Sequence, residues 1–195
     1  MNKKLHKHLL RLTFSALFLA LAYVLPIITG YIPEIGQALS PMHIPVLLCG
    51  FVCGPVWGLA VGAIAPLTRS LMFGMPHMYP TALCMAFELA AYGAMTGILY
   101  RVFSRKKSDG TKTHVNVISI YASLILSMIV GRIVWGTARF ICAGLDPSKF
   151  GLAAFWAGAV TNAIPGIIVH IILVPAIMIV LERMRIVSNS GDSLL

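Results

Sequence analysis

Apolar runs of membrane-spanning length recur along this chain, separated by short polar blocks. That alternation constrains the fold more than any motif does. A helix that crosses a bilayer takes about 20 predominantly apolar residues. Runs of that kind predict helices over Leu9 to Thr29, Val56 to Phe73, Thr81 to Phe103, Val115 to Cys142 and Leu152 to Leu181. A further run from Pro41 to Val52 predicts a helix that is short for a full span. Pro165 and Pro175 fall inside the last run and should kink it, which spanning helices tolerate when neighbours satisfy the freed carbonyls. Charged residues make up 11% and hydrophobic residues 58% of the 195 positions, with mean hydropathy +0.89. Soluble domains carry about 25% charged residues, so part of this chain's solvent must be lipid. The first run is longer than the apolar core of a secretory signal and is followed by others, so it reads as a retained span. The expectation is an all-α, polytopic fold: one domain of six transmembrane helices over residues 1–186, then a disordered cytoplasmic tail over 187–195.

The net charge of +9 could suggest a nucleic acid partner. Its distribution argues otherwise. Lys3, Lys4, Lys7 and Arg11 precede the first run; Arg101, Arg105, Lys106, Lys107 and Lys112 follow the fourth; Arg183 and Arg185 follow the last. With six spans these blocks fall on one side of the membrane, and the rule that Lys and Arg stay inside predicts N-in and C-in. No basic stripe with interleaved aromatics is present, as single-strand binding would need. Cys49, Cys53, Cys84 and Cys142 lie in or near apolar segments and read as small packing residues.

The informative residues are polar ones inside the apolar runs. An ionisable group at bilayer depth costs about 2.5–3.5 kcal/mol on insertion scales, so it normally faces protein or a cavity. Arg69, Glu88, Arg132 and Arg139 qualify, joined by Asn162 and His170. Arg132 and Arg139 are seven residues apart, on one face and about 10 Å apart along the axis. Most of this set converges on the outer half of the bundle. Glu88 with Arg132 is either a structural ion pair or part of a binding site. Arg69 and Arg139 then remain as donors for a carboxylate or phosphate ligand, which arginine binds bidentately. His43, His77 and Tyr79 lie near the outer mouth. The candidate substrate-binding set is Arg69, Glu88, Arg132, Arg139, Asn162, His43 and Tyr79. Catalytic motifs are missing: the sequence has no HExxH, GxSxG or P-loop, and its six acidic residues leave little for two-metal chemistry. Neither an enzyme nor a bound metal or cofactor is expected.

The segment Leu39-Ser-Pro-Met-His-Ile-Pro-Val runs on into a small-residue pattern, G-x-x-x-G-P-x-x-G-x-x-x-G, on Gly50, Gly54, Pro55, Gly58 and Gly62. It resembles the second and third helices of S components, the substrate-specific subunits of energy-coupling-factor (ECF) transporters. The resemblance implies a multi-pass protein of the bacterial cell membrane. It implies a small vitamin as ligand, pantothenate favoured, with folate, riboflavin or a queuosine-type precursor as alternatives. It also implies partners, a coupling membrane subunit and two cytosolic ATPases. Ala16 and Ala20 on the first helix match the family's small-residue docking face, although small residues at this spacing equally serve packing within the bundle. A membrane scaffold whose arginines only pair internally is the alternative of another class.

Overall fold

The computed structural model describes residues 3–29, 40–105, 117–144, 151–159 and 163–183, and its regular elements there are all helical. They are α1 (Lys3–Thr29), α2 (His43–Cys53), α3 (Pro55–Phe73), α4 (Leu83–Arg105), α5 (Val117–Cys142), α6 (Leu152–Ala159) and α7 (Ile164–Arg183). A π-helical turn, Met78–Ala82, leads into α4. Five of these helical stretches are long and apolar enough to cross a membrane: α1, α3, α4 with its preceding turn, α5 and α7. α2 is different. Its 11 residues are all buried, and at 1.5 Å per residue it is only about 16 Å long. A count of six spans rests on this helix.

The single helix predicted from Leu152 to Leu181 is instead two, α6 and α7, on either side of residues 160–162, which lie outside the described residues. Pro165 does not kink a helix here. It sits in the first turn of α7, where its missing N–H leaves no bond unmade. Pro175 does lie inside α7. The predicted tail and the site candidate Asn162 are likewise outside the described residues.

α2 and α3 are joined through Gly54, whose φ of +96° suits glycine, and Pro55 opens α3. The glycine pattern then works across helices. A side-chain carbon at Gly58 would lie 2.5 Å from the Gly93 carbonyl oxygen, and one at Gly97 would lie 2.5 Å from the Pro55 nitrogen. The small face of α2 and α3 therefore meets Gly93 and Gly97 of α4 backbone to backbone, the close approach that small residues permit in lipid. α4 is the hub, packed against α2, α3 and α5. Leu47, Leu89, Tyr92, Leu124, Val174 and Met178 fill the core around it.

Side-chain contacts fix which helix ends share a side. The Arg101 guanidinium packs on Gly54, and the Tyr100 hydroxyl donates to the Glu182 carboxylate. The end of α4 thus joins the α2–α3 turn and the end of α7. Lys4, Lys7, His8 and Arg11 form one basic face at the start of α1, and Arg11 is within electrostatic reach of Cys53 at the end of α2. All three basic blocks begin on this one side. On the other, Tyr23 near the end of α1 meets Thr68 of α3 through their hydroxyls at 2.5 Å.

Candidate functional site

Glu88 organises a buried polar cluster in the half of the bundle away from the basic blocks. It lies on the first turns of α4 and is 2% exposed. Its Oε1 accepts a hydrogen bond from the Tyr92 hydroxyl at 2.9 Å, one turn along the same helix. Arg132 of α5 brings Nη1 to 3.0 Å from the same oxygen, and His43 of α2 brings Nε2 to 3.7 Å. The Tyr92 ring reaches this place because α5 has Gly131 there, where any side chain would overlap the ring.

His43 is the first residue of α2, so this helix begins inside the bundle, at the level of Glu88. Its Nδ1 donates to the Ser40 carbonyl at 3.1 Å. The His170 ring from α7 stacks on it, with ring centres 5.6 Å apart and planes 25° apart. Both rings are almost fully buried, His43 at 4% and His170 at 2% exposed. The Nε2 atoms of both, and Nε of Arg132, have no hydrogen-bond partner among the described residues. An unmet buried polar atom costs about 1–3 kcal/mol. The cluster thus contains unused hydrogen-bonding capacity beside an ion pair, a chemistry suited to holding a polar solute.

The structure brings Glu88, Arg132 and His43 together, and it places the other sequence candidates apart from them. Tyr79, largely exposed, donates its hydroxyl to the Cys142 carbonyl at 2.8 Å. Arg139 lies near this rim, within electrostatic reach of Cys84. Arg69 is not in the cluster. Its Nη1 donates to the Tyr23 carbonyl of α1 at 3.1 Å, and its guanidinium lies over the Phe73 ring, 5.5 Å from the centroid. His77 is exposed ahead of the π-helical turn. Ala16 and Ala20 are exposed on α1, beside Leu17 and Leu21.

In sequence Tyr92 reads as a packing aromatic, although its i, i+4 spacing from Glu88 is a readable signal. His170 reads only as an intramembrane polar residue. The Tyr100–Glu182 contact has no signal in the sequence. Glu182 lies at the end of the last apolar run, where a carboxylate looks like an interfacial residue, yet it is 9% exposed.

The bundle thus encloses an ion pair together with buried hydrogen-bonding atoms that find no partner among the described residues. The family model for the ECF transporter substrate-specific component matches residues 10–178, and the chain belongs to that family. It is therefore a transport subunit that binds substrate in the membrane, and its family works with ECF module partners. Comparison with curated proteins and with solved structures gave no match.

Proposed function

We propose that this chain captures a small vitamin-like solute at the outer face of a bacterial cell membrane and releases it inward when docked on a coupling membrane subunit driven by two ATPases. The carrying observation is the Glu88–Arg132 pair at 3.0 Å beside His43 and His170, whose Nε2 atoms have no hydrogen-bond partner among the described residues. A ligand supplying hydrogen-bond donors and acceptors there would satisfy groups that are otherwise costly to bury. The gathering of the basic blocks on the opposite side supports N-in and C-in. On that topology α2 counts as a sixth membrane segment, and the cluster lies in the outer half.

Pantothenate is the favoured substrate, resting on the resemblance around His43-Ile44-Pro45-Val46, and Arg139 at the rim suits its carboxylate. Folate, riboflavin and a queuosine-type precursor are the competing substrates. The purified protein should gain thermal stability with one of these and not with the others. Saturation at 100 times the dissociation constant corresponds to about 2.7 kcal/mol. If none of them shifts the melting temperature and no coupling subunit co-purifies, the transport reading is wrong. The mutual satisfaction of Glu88 and Arg132 favours a second reading, a membrane scaffold with no transported substrate.

The exposure of Ala16 and Ala20 supports α1 as the docking helix, since small residues let another helix approach closely. The double variant A16L/A20L should reduce co-purification of the coupling subunit at least about tenfold, roughly 1.4 kcal/mol. Its own melting should hardly move, because exposed substitutions usually stay within about 0.5 kcal/mol. Undiminished co-purification would remove the docking role from this face.

A further inference from the structure

Two cysteines stand together at the rim of the polar cluster. Cys84 is the second residue of α4 and Cys142 the last of α5, and their sulfurs are 3.6 Å apart with both thiols free. Cys84 is buried, whereas Cys142 is partly exposed. Cys84 precedes Glu88 by four residues, one turn above it on the same face of α4. The Cys142 carbonyl is also the acceptor for Tyr79, which ties the π-helical turn to the end of α5. A bond between these sulfurs would therefore tie the start of α4 to the end of α5, one turn beyond Glu88.

We propose that Cys84 and Cys142 are a reversible oxidation site, a dithiol that an external disulfide converts into a covalent strap between α4 and α5, one turn from the Glu88 cluster. The partly exposed Cys142 thiolate attacks one sulfur of a small-molecule disulfide and expels the first reduced thiol. The Cys84 thiolate then attacks the Cys142 sulfur of that mixed disulfide and expels the second. Overall two cysteine thiols lose two protons and two electrons, and the oxidant is reduced to two thiols. The sulfurs must approach from 3.6 Å to about 2.05 Å, a shift within reach of side-chain rotation at two helix ends. The strap's regulatory meaning rests on the N-in topology proposed above, which puts the pair on the outer side, where oxidising conditions let disulfides persist.

The test uses the full chain in proteoliposomes and in intact cells. In proteoliposomes, oxidised glutathione is added and the protein is digested without reduction. A linked peptide pair containing Cys84 and Cys142 is expected, lighter by two hydrogens, restored by dithiothreitol and lost in C84S. Amide exchange over 75–84 should slow in the oxidised wild type and stay unchanged in C84S. A stable glutathione adduct on Cys142, with Cys84 still alkylated after denaturation, would overturn the dithiol. In intact cells first reduced with dithiothreitol and washed, a membrane-impermeant maleimide should label Cys142 from outside and label C142S less. Labelling only in inverted vesicles would overturn the outer placement of the strap while leaving the peptide result to stand for the chemistry.

Discussion

Arg132→Met is expected to destabilise the bundle by about 3–5 kcal/mol, because it leaves the Glu88 carboxylate buried without its counter-charge. Glu88→Leu should cost a similar amount, since it strands Arg132 and removes the acceptor of the Tyr92 hydroxyl. The double variant E88L/R132M is the decisive protein. Apolar replacement of a whole buried pair is often neutral or stabilising, so its melting temperature in detergent should recover most of the loss. Capture of the vitamin identified by thermal shift should not recover. If the double variant binds that vitamin as well as wild type does, the pair is purely structural and the site lies elsewhere. If the single variants melt like wild type, the pair is neither buried nor paired as described.

Gly93→Leu is expected to be at least as damaging, by a different route. Gly93 and Gly58 meet carbonyl to Cα across α3 and α4. An added side chain there encounters backbone, which cannot rotate away as a flexible side chain would. Overpacking usually costs about 1–3 kcal/mol, occasionally more, and a clash against the Gly58 backbone belongs at or above the top of that range. Even Gly93→Ala should broaden the size-exclusion profile and lower the melting temperature. Gly74→Ala makes a useful control: the space there is open and only its φ of +71° resists a side chain, so its cost should stay near 1–2 kcal/mol. Equal losses at the two positions would show that α3 and α4 do not touch through their glycines.

Much of this architecture could be read in the sequence because lipid imposes strong rules. Apolar length located α2 to α5 to within a few residues, as at Val56 to Phe73 against the observed Pro55–Phe73, whereas α1 begins at Lys3, six residues ahead of the apolar run that opens at Leu9. The glycine pattern from Gly50 to Gly62 announced close packing. It did not name the partner, since Gly93 and Gly97 contribute only once the chain folds back. The division of the last predicted helix is not legible in the sequence, because Pro165 inside an apolar run reads as a kink. Only its register, at the start of α7, makes it a beginning. At the site, intramembrane charge alone singled out Glu88 and Arg132. Arg69 carries the same signal in sequence, yet the fold turns it toward the α1 backbone, because facing direction depends on helix rotation and composition does not encode it. His170 and Tyr92 join through tertiary proximity that spacing along the chain does not specify.

The short buried helix α2 also bears on how the protein is built. A segment of 11 apolar residues offers the insertion machinery less than a full hydrophobic span, and its folded form is enclosed by protein on every side. It gains its stabilising contacts from α1, α3, α4 and α7, so its place in the bundle depends on all four of them. The position of His43, and with it one wall of the proposed binding site, is therefore set by the bundle as a whole and not by any one pair of helices.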